Sequence, residues 1–472
     1  MVFNSLGFLI FFAVVLAGLR LPLSWTSKKL LLVLASHGFY AAWNPRFLFL
    51  LWLSTVVDWG LALLIAREEE LRYRRALVAI SLVLNLGVLA AFKYGGFIAE
   101  NLSIAMNGTG LEGSLNWGNW VLPLGISFYT FEGISYVLDV YHRRVEATRS
   151  LLDYALFISF FPHLVAGPIV RARDFLPQCR EERRPTEDQF SWGLTLLVLG
   201  LFQKMVLADR VFAPVSDTVF GAVGSAGTVA AWAGTVAFAG QIYCDFAGYS
   251  SCALGAALCV GLVLTENFHF PYAAVGFSDF WRRWHMSLSS WLRDYLYIPL
   301  GGNRGGTART HFNLMLTMLI GGLWHGAAWQ FVVWGGLHGL FLSGEHALRW
   351  AYRRRPIKQG AGGQFFLGLV TLFGVLVTWV FFRASSFSEA FHLLGAMFKW
   401  QPAAMIGSSA AAGLAVGVFG LLWLAQWWGR NEQLEVLFAR LPHGGKVALL
   451  ASLLLGIILE RGVEHTFIYF QF

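Results

Sequence analysis

Between Arg75 and Lys93 the chain reads ALVAISLVLNLGVLAAF, Ala76 to Phe92, without one formal charge. Arg72, Arg74 and Arg75 precede it, and no Lys or Arg occurs from Tyr94 to Tyr141. A run of this length is that of a helix crossing the roughly 30 Å hydrocarbon layer, where every backbone N–H and C=O must be satisfied internally. Basic span ends stay on the cytoplasmic side, so Ala76–Phe92 is expected to cross outward and Asn101–Asn119 to be external.

Composition extends that reading to the whole chain. Of 472 residues 57% are apolar and 13% charged, against about 45–50% and about 25% in soluble domains. A soluble enzyme, a disordered chain and a coiled coil are excluded. The apolar content suffices for roughly nine to twelve membrane passages at about 20 residues each. The expected fold is all-α, a polytopic integral membrane protein with transmembrane, re-entrant and interfacial helices. Residues 1–472 read as a single membrane domain, without internal repeat or linker. Met1–Leu19 lacks a basic n-region and reads as a retained first span. The net charge of +8 sits in short clusters between apolar runs, a topology signal rather than a nucleic-acid surface. Cys179, Cys244, Cys252 and Cys259 form no C-x-x-C pair, which argues against disulfides and zinc.

The clusters order the rest. Arg20, Lys28 and Lys29 are followed by Arg67, Arg72, Arg74 and Arg75, and the two apolar runs between them break at Asn44-Pro45, so the chain returns to the same side. Trp120–Tyr141 crosses back. Leu151–Val170 has basic sequence at both ends and is interrupted by Pro162, Gly167 and Pro168; it is expected to be a re-entrant hairpin, tolerated only where protein or a water-filled cavity covers it. Phe190–Leu207 leads outward, Phe268–Arg309 lies on the cytoplasmic side, and the chain re-enters at His311–Leu348. Further spans are expected near Phe365–Phe382, Ala410–Trp428 and Val447–Leu459, after the basic run Arg349–Lys358.

Several residues carry chemistry. Ser278–Leu296 has Phe280, Trp281, Trp284, Leu288, Trp291, Leu292 and Tyr295 at helical spacing, with Arg282 and Arg293 opposite. One amphipathic helix in the membrane surface is predicted, capped by Ser278, with His285 at the boundary of its faces. The loop Gly301-Gly-Asn303-Arg304-Gly-Gly306 either cradles phosphate or simply turns the chain. His325 lies in an apolar helix, Ile320–Gln330, where burial favours a neutral imidazole able to accept a proton; Gly322 and Gly326 allow a helix or ligand close to it. The alternative is a core histidine bridging two helices. His338, 13 residues on, falls on another face of a continuous helix, and no carboxylate or thiolate joins the histidines at ligand spacing, so no metal is expected. The intramembrane polar residues Asp58, Glu132, Asp139, His163, Lys204, Gln241 and Asp245 read as structural hydrogen bonding or as a proton relay.

Six segments taken together resemble one family. They are Leu122–Phe131 (LPLGISFYTF), Phe160–Ile169 (FFPHLVAGPI), Gln241–Ser250 (QIYCDFAGYS), Asp279–Arg304, Gly322-Leu-Trp-His-Gly326 and the tail Phe467–Phe472. The chain resembles the membrane-bound O-acyltransferases, in particular the bacterial, alginate O-acetyltransferase-like branch. The resemblance implies a helical fold around a central tunnel, with a catalytic core at about residues 120–345. It also implies an intramembrane catalytic histidine, His325, and a second residue, His285, nearer the cytoplasmic mouth. Beside them, Trp324 and Trp329 are expected to line the acyl path, and Arg282, Arg283, Asn303 and Arg304 to meet an anionic donor such as acetyl-CoA. No bound cofactor is expected. The implied partners are a periplasmic acetyltransferase or polysaccharide export protein and membrane lipid, with no nucleic acid, and the implied location is the bacterial inner membrane. A transporter or flippase gated by His325, and a non-catalytic scaffold of an export complex, are the competing readings; a transporter of the common kinds shows repeated halves.

Overall fold

The computed structural model describes residues 2–109, 115–118, 120–351, 360–402, 406–460 and 467–468. Residues 352–358 of the basic run and 469–472 of the tail motif lie outside these. Among the described residues every regular element is helical. The main helices are α1 (Leu6–Arg20), α2 (Trp25–Ala41), α3 (Phe47–Arg67), α4 (Leu71–Gly108), α5 (Ile126–Tyr141), α6 (Leu151–Ser159), α7 (Glu187–Gly221), α8 (Thr228–Cys259), α9 (Phe277–Arg283) and α10 (Met286–Leu292). They continue with α11 (Gly306–His325), α12 (Trp329–Ala351), α13 (Ala361–Arg383), α14 (Phe387–Phe398), α15 (Ser409–Gly429) and α16 (His443–Leu459).

Among the described residues five helices, α3, α4, α7, α13 and α15, are long and apolar enough to cross a membrane. Their outer faces carry large apolar side chains such as Phe49, Val83, Phe366 and Leu421, all about 70% exposed, which only lipid would cover. By contrast α5 is buried along nearly its whole length. It carries Glu132 and Asp139, residues that lipid would reject and a protein interior can pair.

The chain forms two compact units. The first comprises residues 1–194 and 252–265. In it Arg143 donates to the Ala66 carbonyl at 3.1 Å and Arg74 to the carbonyl of Tyr141. The end of α3, the start of α4 and the end of α5 therefore share one side, as their basic clusters require. In the segment expected to be external, Asn101–Asn119, the helix continues: α4 runs on to Gly108 through a π turn at Ala90–Tyr94. At 1.5 Å per residue it is about 57 Å long, so its last turns lie beyond the hydrocarbon. The helix continues through Gly95-Gly96 directly after the π turn.

The stretch Leu151–Val170, expected to be a re-entrant hairpin, is α6 followed by broken backbone. The helix stops at Phe160, one short turn covers Phe161–Leu164, and irregular backbone follows to Arg171. Lys29 binds the Asp153 carboxylate where the hairpin enters and donates to the Cys179 carbonyl, at 3.1 Å, where it leaves. Both legs thus end at one side chain of α2. Deeper in, Glu132 of α5 accepts from the Val170 N–H at 2.9 Å and meets His163 Nδ1 at 3.1 Å, and Ser36 accepts from the Phe161 N–H at 3.0 Å. These bonds satisfy backbone that no helix satisfies, the condition for irregular chain at membrane depth. Asp139 instead faces Arg144 at 3.5 Å, so the two carboxylates of α5 hold separate partners.

The second unit comprises residues 195–251 and 266–472. Within it Lys204 lies 2.9 Å from Asp209 and 2.6 Å from Asp245, whose other oxygen accepts from the Ile468 N–H at 2.6 Å. Its core is aromatic, with Phe238, Phe280, Trp284, Trp334, Trp379 and Phe382 all 0–1% exposed.

Candidate active site

The local chain around His285 is not one helix. The predicted amphipathic helix Ser278–Leu296 is corrected: α9 ends at Arg283, Trp284 is extended, His285 takes φ +43° and ψ +55°, and α10 begins at Met286. A left-handed residue cannot sit inside a right-handed helix, and histidine is among the few non-glycine residues that tolerate it. The preceding segment imposes the break. His269 donates its N–H to the Arg283 carbonyl and Met286 donates to the Asn267 carbonyl, each at 2.9 Å. The buried Asn267 side chain accepts from the Ser287 hydroxyl at 2.6 Å and donates to Ser250 at 3.3 Å. Helical periodicity sees none of these long-range bonds. The cap differs as well: Gly276 precedes the helix, Asp279 accepts from the Val275 N–H and Glu345 from the Ser278 N–H. The tryptophan face is turned into protein, with Trp284 fully buried and Trp291 8% exposed, so α9 and α10 do not float on a lipid surface.

His325 is also at a break. It is the last residue of α11; Gly326 is extended, and α12 starts at Trp329. The continuous helix expected over Ile320–Gln330 is therefore two antiparallel helices, and the angular argument separating His325 from His338 does not hold. The glycines serve this hairpin. A Cβ on Gly322 would strike the Phe331 carbonyl, and one on Gly335 the Met318 carbonyl, so the helices pack backbone to backbone. The close neighbour anticipated at Gly322 and Gly326 is α12 itself.

The two breaks bring His285 and His325 together, 6.4 Å apart between ring centroids. Trp324 contacts both, at 5.9 Å and 5.0 Å, and Trp334 and Phe382 stand edge-to-face with His325 at 5.1 Å and 5.3 Å. His285 also lies edge-to-face with Phe246 at 4.7 Å. His285 is fully buried and His325 is 3% exposed. Such a cage shields both imidazoles from water.

The other sequence candidates are more scattered. Trp329, at the start of α12, is 52% exposed. Arg282 is exposed and donates to the Ser278 carbonyl. Arg283 commits its donors to Asp279 at 2.9 Å and to the Arg430 and His269 carbonyls. Asn303 and Arg304 are exposed on the glycine loop. The buried Asn313 donates to the Gly302 carbonyl at 2.9 Å and holds that loop, while Gly301 at φ +110° and Gly302 at φ +54° need the freedom of glycine.

His338 acquires a role that spacing did not suggest. The Trp281 indole N–H donates to its Nδ1 at 3.3 Å, and its Nε2 lies 3.0 Å from Thr378 Oγ1, which donates to the Val375 carbonyl. With Nδ1 accepting, the proton sits on Nε2, and the polar side-chain atoms of Trp281, His338 and Thr378 are all satisfied. His338 is a structural histidine, stacked on Phe280 at 5.9 Å and edge-to-face with Trp334 at 4.9 Å. Trp334 is thus held between His338 and His325. Among the described residues no three His, Cys, Asp or Glu side chains group as a metal site.

Comparison with known proteins identifies the family. The model of the membrane-bound O-acyltransferase family matches residues 135–387. A probable alginate O-acetylase of Azotobacter vinelandii is 42% identical over 85% of this chain and 78% of its own length. One from Pseudomonas aeruginosa is 40% identical over 90% and 80%. A peptidoglycan O-acetyltransferase of Helicobacter pylori is 37% identical over 78% and 73%. From the six motifs, the helical architecture and these matches, the chain belongs to the membrane-bound O-acyltransferase family and is an acyltransferase.

Proposed function

We propose that the protein transfers an acetyl group from a cytoplasmic thioester, acetyl-CoA, to a hydroxyl of an exported polysaccharide or of a periplasmic partner acetyltransferase, in the bacterial inner membrane. The observation that carries this reading is the meeting of His285 and His325 inside one aromatic core, at 6.4 Å. The relatives named for alginate and peptidoglycan acetylation support the substrate class.

In this mechanism an imidazole nitrogen of His325 takes the proton of the acceptor hydroxyl as its oxygen attacks the thioester carbonyl. The tetrahedral intermediate collapses to the ester, the carbon–sulfur bond breaks, and the imidazolium returns its proton to the departing thiolate. Trp324, Trp334 and Phe382 stabilise the transient cation through their ring faces. His285 is the second polar group, positioned for the acyl carbonyl or for the acceptor. No covalent acyl-enzyme is needed. Because both rings are enclosed, substrate entry requires an aromatic side chain to swing aside. Arg282, Asn303 and Arg304, exposed and cationic or polar, remain the proposed contacts of the donor, and Trp324 that of the acyl group; the positions of Arg283 and Trp329 give less support for direct contact.

The test is purified protein in nanodiscs with labelled acetyl-CoA and a hydroxyl acceptor. Ester formation by the wild type and its loss in His325→Ala are expected. Undiminished turnover by a folded His325→Ala protein would reject the mechanism, and absence of any ester would favour transport or scaffolding.

A further inference from the structure

The first unit contains a cavity of about 760 Å³ that the histidine chemistry does not use. Its walls are apolar where α1 ends and α7 begins, at Leu16, Leu19, Phe190 and Leu194. Cations line it too: Arg20, Lys28, Arg183 and Arg184, against the single carboxylate Glu187.

These cations are not equivalent. Glu182 pairs with Lys28 at 2.7 Å and with Arg184 at 3.1 Å. Among the described residues neither Arg20 nor Arg183 has a carboxylate within ion-pair distance. Arg20 closes α1, whose outward face bears the exposed Leu6, Ile10 and Val14. Within one helical turn the lining therefore changes from hydrocarbon to guanidinium, the sequence of surfaces that a phospholipid presents in reverse. Two uncommitted guanidiniums match one singly charged phosphodiester, which each can engage through a planar pair of N–H donors. A polyphosphate would instead meet Glu187 and two cations already neutralised by Glu182.

We infer that this cavity binds one anionic phospholipid, its phosphodiester between Arg20 and Arg183 and its chains along Leu16, Leu19, Phe190 and Leu194. Bound there, the lipid bridges the end of α1 and the start of α7.

Native mass spectrometry of the full chain, with dioleoylphosphatidylglycerol and dioleoylphosphatidylcholine as probes, tests this. The wild type is expected to retain one phosphatidylglycerol in preference to phosphatidylcholine. The double variant R20Q/R183Q is expected to bind it about 10- to 30-fold more weakly, whereas R20K/R183K, which keeps the charge, stays within about threefold of wild type. An unchanged preference in R20Q/R183Q, or equal loss in R20K/R183K, would overturn the proposal. So would displacement of the lipid by an equimolar amount of the chain-free headgroup glycerophosphoglycerol or of coenzyme A, since the cavity would then be a site for soluble phosphates.

Discussion

The imidazoles of His285 and His325 face each other at 6.4 Å with their planes inclined by 67°. That separation is too long for a hydrogen bond from ring to ring, so the two act on different atoms of what lies between them. Replacing His325 by Ala is expected to lower kcat by about 10²- to 10⁴-fold, the range for a lost general base, in a steady-state assay of labelled acetyl transfer. His285→Ala is expected to lose less. Because residue 285 has φ +43°, His285→Asn, which tolerates that backbone, should be better folded than His285→Ala while sharing its loss of activity. Full activity in His285→Asn would remove the imidazole from the chemistry.

The tautomer assigned to His338 makes a second forecast. Thr378→Val removes the acceptor of the buried Nε2–H and leaves that donor unsatisfied, at a cost of about 1–3 kcal/mol. A lower melting temperature in detergent is the readout. The loss of acetyl transfer should be no greater than the loss of folded protein, because Thr378 touches His338 and the Val375 carbonyl rather than His325.

Gly322→Ala and Gly335→Ala push a methyl group into a facing carbonyl across the α11–α12 hairpin. Each is expected to destabilise by about 1–3 kcal/mol or more, as overpacking does, and to lower kcat by shifting His325 at the hairpin's end. Gly336→Ala, whose nearest neighbour is the Leu319 side-chain tip at 3.4 Å, is the control and should stay close to wild type in both assays.

In the re-entrant hairpin, Glu132→Ala strips the acceptor from Val170 and the partner from His163. It should cost about 3–5 kcal/mol, the range for breaking a buried pair, with Glu132→Gln milder because its amide oxygen still accepts from Val170. Limited proteolysis near residues 165–171 reports the loosening, and equal resistance in both variants would show that Glu132 does not hold this segment.

Much of this architecture was legible in the chain. The Ala76–Phe92 run and the charge clusters reveal the membrane class, and Pro162, Gly167 and Pro168 mark where α6 gives way to irregular backbone. His285 and His325 emerge through motif resemblance. Hidden features share one physical cause: they depend on partners distant in sequence. The break at His285 follows from bonds to Asn267 and His269, and the tautomer of His338 from Trp281 and Thr378. Arg283 reads as an anion contact until its ties to Asp279 and Arg430 are known.

The clasp made by Lys29 on both legs of the re-entrant hairpin has a bearing on biogenesis. Residues 153 and 179 leave the ribosome long after α2, so vectorial synthesis delivers the hairpin to a receptor already in place. A circular permutant translating α2 last would expose its unsatisfied backbone to lipid during the wait, and quality-control proteases would be its first readers.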